Sequence, residues 1–214
     1  MTAPIAASVA TKNSAKQLSH RDPMGYVVVD NDRVFRVVNE TWRPVFEFLK
    51  NSPTAKSLVD DGRLITSQEI LPAMVAPENA PVVGPGQFLL EHDKVSFPSF
   101  AYEWPWEMLQ AAAELTLDLA SVFIKDDIRL KDATPFNVLF QGPKPVFIDI
   151  LSFEKGALRD SLWRPEGQFT QTFLLPILLK RLADTPPHQM FMVNREGISP
   201  EEVYRRLSGL ARMR

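Results

Sequence analysis

The chain has 214 residues, 45% of them hydrophobic and 10% aromatic, with 24 Lys and Arg against 26 Asp and Glu and no cysteine. That hydrophobic share excludes a disordered or fibrous chain and is enough for one substantial core or two small lobes. A formal charge of −2 lacks the electrostatic footprint of a nucleic-acid binder, and the absence of cysteine excludes disulfides, thiolate metal sites and a cysteine nucleophile, which fits a cytoplasmic setting.

In chain order, residues 1–21 form an Ala-, Ser- and Thr-rich stretch expected to be a flexible tail. Its apolar run is short and no positively charged region precedes it, so no signal peptide is expected. No stretch approaches the roughly 20 apolar residues that span a bilayer, so no membrane partner is expected. Gly25–Val29 and Arg33–Val38 flank the turn-forming Asp30-Asn31-Asp32 and predict a hairpin. From Thr41 the period changes to a helix carrying Val45, Phe46 and Leu49, with Pro44 suited to its first turn and Pro53 breaking it. A short helical piece follows over 55–60.

Residues 72–86 hold Pro72, Pro77, Pro81 and Pro85 and predict an extended connection. Gln87–Leu90 and Val95–Phe100 are short apolar runs, and Pro98 confines the second to an edge strand or a connecting segment. The strongest helix signal runs from Pro105 to about Lys125, with Met108, Ala112, Leu115, Leu119 and Val122 on one face. Ala111, Leu117 and Ala120 on other faces predict a helix buried all round. Val138–Phe140 and Pro145–Ile148, joined through Gln141-Gly142-Pro143-Lys144, read as a second hairpin. A helix over 166–183, kinked at Pro176, and a last amphipathic helix over 199–213 complete the pattern.

The chemistry is concentrated in Leu130-Lys131-Asp132-Ala133-Thr134-Pro135-Phe136-Asn137, followed by the hairpin and then Phe147-Ile148-Asp149. A carboxylate and an amide five residues apart in a loop, with a second carboxylate twelve residues further on, match the needs of phosphoryl transfer. One carboxylate receives the hydroxyl proton, while an amide oxygen and a carboxylate hold magnesium. Taken singly, such residues are more often turn and cap formers. His20, His92 and His188 show no metal-ligand spacing.

This segment resembles the protein-kinase-like superfamily, particularly its aminoglycoside-phosphotransferase type. The resemblance implies a two-lobed α+β fold, with a reduced β-rich lobe over 22–100 and a helical lobe over 101–214. It implies Asp132 as catalytic base, Asn137 and Asp149 as magnesium ligands, and magnesium and ATP as cofactors for transfer to a small-molecule or sugar-like hydroxyl. Arg36 and Glu47 would stand in for the usual lysine–glutamate pair, Lys131 would reach a phosphate, and Tyr102, with Glu103, Trp104 and Trp106, would wall an adenine pocket or simply pack. The usual glycine-rich loop is missing, since Gly25 stands alone before the first hairpin, and Asp149 is followed by Ile150-Leu151 in place of Phe-Gly.

Residues 22–182, on the runs Ser96–Trp104, Leu130–Ala133 and Phe147–Glu154, also resemble the amino-terminal region of a bacterial family of class I SAM-dependent methyltransferases. That resemblance implies an alternative: a non-catalytic, pseudokinase-like accessory module partnered by a methyltransferase domain. No Gly-x-Gly-x-Gly loop after a strand occurs in these residues, so the adenosylmethionine site is expected elsewhere.

Overall fold

The computed structural model describes residues 16–17, 24–30, 32–75, 81–156 and 162–207. The expected tail lies outside them, apart from Lys16–Gln17. The chain is mixed helix and strand, an α+β protein, and divides into two compact units: residues 1–40 with 67–94, and 41–66 with 95–214. None of its described helices is long and apolar enough to cross a membrane.

The first unit is a five-stranded antiparallel sheet in the order β1-β2-β3-β5-β4, formed by Lys16–Gln17, Gly25–Asp30, Arg33–Asn39, Ser67–Ile70 (β4) and Gln87–His92 (β5). The expected hairpin is β2–β3, in register from Gly25 opposite Val38 to Asp30 opposite Arg33. Alternation along β3 sends Phe35 and Val37 to one face, where Val28, Val75 and Leu89 complete a small core. Arg36 points to the other face and is nearly buried. Gln87–Leu90 belongs to an interior strand paired on both sides, whereas residues 95–100 form no strand. Strand β4, Ser-Gln-Glu-Ile, is too polar and too short to show a strand period in sequence.

The second unit begins with α1 (Arg43–Asn51) and α2 (Pro53–Asp60). Ser52 separates them, and its Oγ accepts from Ala55 N at 3.2 Å while Pro53 takes the first helical position. Residues 41–66, expected with the first region, group here for a physical reason. Phe147 N donates to Arg63 O and Ile65 N to Phe147 O, both at 2.9 Å, and Trp42 Nε1 donates to Phe153 O at 3.0 Å. Helix α3 (Trp106–Phe123) buries Leu109, Ala112, Ala113, Leu115, Thr116, Leu119 and Phe123. The expectation of burial all round is corrected: Glu114, Leu117, Asp118 and Ser121 face solvent, and the inner stripe is one residue round from Met108 and Val122, both half-buried.

After α3, β6 (Ile128–Leu130), the hairpin β7 (Val138–Gln141) and β8 (Lys144–Phe147), and β9 (Phe153–Lys155) follow, with β6 paired antiparallel to β9. Gly142 at φ +60° makes the hairpin turn that residues with a Cβ resist. Phe123 and Phe147 pack on Phe153 with ring centroids 4.9 and 5.6 Å away, which seats both β-pairs on α3.

The expected helix over 166–183 is present but not uniform. It runs as α4 (Glu166–Phe169), a π-helical turn over 170–174, and α5 (Leu175–Ala183). Pro176 explains the break, since it lacks an N–H and its ring would strike the carbonyl four residues back, and widening the preceding turn removes both conflicts. Helix α6 (Pro187–Val193) was too short to show a period, and α7 (Pro200–Arg206) is the start of the expected last helix. The helix ends sooner than expected, since Leu207 is already extended at φ −71° and ψ 139°, and residues 208–213 lie outside the described ones.

Candidate functional site

Lys131, Asp132, Asn137 and Asp149 fall on two loops of the second unit, 131–137 between β6 and β7 and 148–152 between β8 and β9. Backbone bonds join these loops: Lys131 N donates to Ser152 O at 2.8 Å and Ile148 N to Asn137 O at 2.8 Å. Thr134 turns the first loop, its Oγ1 accepting from Phe136 N at 3.3 Å, so Pro135–Asn137 closes as a single 3₁₀ turn. The pairing of β6 with β9 and of β7 with β8 therefore brings Asn137 and Asp149 together although twelve residues separate them.

The link between them is Ser152, which is fully buried. Asn137 Nδ2 donates to Ser152 Oγ at 2.9 Å, and the Ser152 hydroxyl donates to Asp149 Oδ2 at 2.7 Å. A hydroxyl both accepts and donates, so one serine orients both polar groups. The amide spends its donor end on Ser152, and its oxygen is the end able to coordinate a cation. An amide oxygen and a carboxylate form the hard-oxygen donor set that magnesium takes, so the residues fit that ion. Among the described residues no three His, Cys, Asp or Glu side chains gather into a metal-holding group, and this pair supplies one carboxylate and one amide.

Asp132 and Lys131 are half-buried at the start of the first loop, and that loop is held from the other side by the π-turn region. Gln168 Oε1 accepts from Ala133 N at 2.6 Å, and Thr172 Oγ1 lies 3.5 Å from Ala133 O. The N–H groups of Lys131 and Ala133, the residues on either side of Asp132, are thus fixed, one to Ser152 and one to Gln168. Ser152 and Gln168 carried no functional signal in sequence, because their role is hydrogen bonding to loop peptides and only the folded chain shows it.

The remaining candidates are distributed more widely. Tyr102 is half-buried and stacks on Phe100, with ring centroids 5.6 Å apart and planes at 23°. Trp104 is core: it is buried, its ring meets Phe140 edge-on at 5.0 Å, and its Nε1 donates to Ser99 Oγ at 3.0 Å. Glu47 lies 3.8 Å from Arg43 and 4.0 Å from Lys50 on its own helix, while Arg36 belongs to the first unit.

A further loop, 194–198, shares the π-turn as its support. Ile198 N donates to Gln171 O at 3.0 Å, a carbonyl made accessible by the widened turn. Gly197 sits at φ +85°, and a Cβ there would lie 2.2 Å from Gln171 O. Gly197→Ala is therefore expected to cost about 1–3 kcal/mol from backbone strain, with the clash added, read as a lower denaturant midpoint at unchanged slope.

Among curated proteins, the chain is 32% identical over 191 residues to the nodulation protein NoeA of Rhizobium meliloti strain 1021, across 89% of this chain and 38% of that protein. The chain therefore spans well under half the length of this relative. Among solved structures, the Mycobacterium tuberculosis PknI kinase domain aligns with a TM-score of 0.41 and 14% identity, over 92% of this chain and 82% of that domain. No family model matches the sequence.

Proposed function

We propose that this chain has a kinase-like fold and performs ATP- and magnesium-dependent phosphotransfer to a small-molecule or sugar-like hydroxyl in the cytoplasm. In this reading the sheet unit is a reduced β-rich lobe and the second unit a helical lobe. The observation that carries the proposal is the Asn137–Ser152–Asp149 chain of hydrogen bonds beside a loop whose Asp132 is fixed on both sides. The bound ion would be held by Asn137 and Asp149 and would neutralise phosphate charge.

Asp132 accepts the acceptor's hydroxyl proton as the acceptor oxygen bonds the γ-phosphorus; the bond from that phosphorus to the β–γ bridging oxygen breaks, and its electron pair leaves with ADP. Lys131 offers a cation to a phosphate oxygen. Tyr102 gives an aromatic edge for adenine.

Two observations favour a second reading, a non-catalytic module that supports a methyltransferase domain. The sequence ahead of β3 reads Asp30-Asn31-Asp32, carboxylates where a phosphate-cradling loop has glycines, and the chain matches only 38% of its longer relative. Incubation with γ-labelled ATP, magnesium and a panel of hydroxyl compounds separates the readings. Label transfer that is lost in Asp132→Asn supports phosphotransfer; nucleotide binding without transfer to any compound supports the accessory module.

A further inference from the structure

Arg195 is an exposed arginine whose guanidinium lies over two aromatic faces, 5.9 Å from the centroid of Tyr102 and 6.0 Å from that of Phe136. These ring faces are its contacts among the described residues, and no carboxylate there neutralises it. A guanidinium held by ring faces has its rotamer freedom reduced while its in-plane N–H donors still point outward. An exposed arginine on a mobile loop would be a solvated charge, but this loop is clamped. Asn194 Oδ1 accepts from Glu196 N at 3.0 Å, Ile198 N is tied to Gln171 O, and Gly197 lies flat against the same carbonyl.

Its position ties it to the candidate site. Phe136 stands one residue before Asn137 and four after Asp132 on the same loop. Its ring also meets Phe191 of α6 edge-on at 6.1 Å, so the loop and the end of α6 pack together. The π-turn region holds both loops, through Gln168 and Thr172 to Ala133 and through Gln171 to Ile198. One rigid segment thus sets the Asp132 loop and Arg195 in fixed relation.

We propose that Arg195 recognises an anionic group, a phosphate or carboxylate, on the acceptor, so that the acceptor carries both a hydroxyl and a negative charge. The anion site stands on Arg195 and its rings; its assignment to the acceptor rests on the phosphotransfer reading. A fixed guanidinium fork binds either anion bidentately and repels a cationic acceptor.

Calorimetric titration of the native chain, Arg195→Gln, Arg195→Lys and Asp149→Ala with inorganic phosphate at constant ionic strength, and separately with magnesium–ADP, tests this. The expected result is phosphate binding by the native chain and by Asp149→Ala, weakened about 10- to 100-fold in Arg195→Gln and partly restored in Arg195→Lys, while Arg195→Gln binds magnesium–ADP as the native chain does. Equal phosphate affinity in Arg195→Gln, or none in the native chain, overturns the anion site. Loss of magnesium–ADP binding in Arg195→Gln overturns the assignment to the acceptor by giving Arg195 to the nucleotide. Phosphate binding that needs Arg195, in a native chain that binds no magnesium–ADP, overturns the phosphotransfer reading and with it the acceptor, while the anion site itself is upheld.

Discussion

Asp132→Asn is expected to lower phosphotransfer by about 10²–10⁴-fold, the range over which a positioned general base contributes. Asparagine keeps the size and most of the hydrogen bonding of aspartate but cannot take the hydroxyl proton. Asp132 is half-buried, and the loop around it is fixed by the peptide N–H groups of Lys131 and Ala133, which donate to Ser152 O and Gln168 Oε1. The fold should therefore persist, with an unfolding free energy within about 1 kcal/mol of native and an unchanged affinity for magnesium–ADP. That split between turnover and binding identifies a base. A parallel loss of binding and stability would make Asp132 a structural residue of the loop.

Ser152→Ala is expected to act in the opposite sense, on binding and stability together. Removing the fully buried hydroxyl takes one hydrogen bond from Asn137 Nδ2 and one from Asp149 Oδ2. Leaving the buried Asn137 amide short of this partner costs about 1–3 kcal/mol. The larger consequence is orientation: groups that hold metal ligands from behind are worth about 10–100-fold in affinity when removed. Magnesium–ADP affinity should fall by that factor, while affinity for ADP without magnesium changes little. Chemical denaturation and calorimetry on the same preparations separate the two effects. Native magnesium dependence in Ser152→Ala would show that the serine only packs.

Much of the second unit was legible because its signals are local. Proline at a first helical turn, the three-and-four spacing of the long helix and Gly142 in a hairpin turn each act within a few residues. The pairing of β6 with β9 was not legible. Ile-Arg-Leu and Phe-Glu-Lys are three residues long, and only the closure of the intervening loop and hairpin makes them a sheet. For the same reason sequence singled out Asp132, Asn137 and Asp149 but missed Ser152 and Gln168, whose partners lie up to 35 residues away. Strand β4 stayed hidden because polar residues carry no period, and the π-turn because the sequence shows the conflict at Pro176 but not how the backbone resolves it. The burial pattern of α3 was misjudged because a hydrophobic residue such as Leu117 can stand in solvent at little cost.

Thermal unfolding with ADP, with and without magnesium, on the native chain and on Asp149→Ala tests whether Asn137 and Asp149 form a magnesium–nucleotide site. A ligand that binds only the folded state must raise the midpoint, by about 2.7 kcal/mol of added stability at a hundredfold excess over its dissociation constant. A magnesium-dependent rise is expected in the native chain and is expected to disappear in Asp149→Ala. No rise at millimolar nucleotide, or an equal rise in the variant, would contradict it.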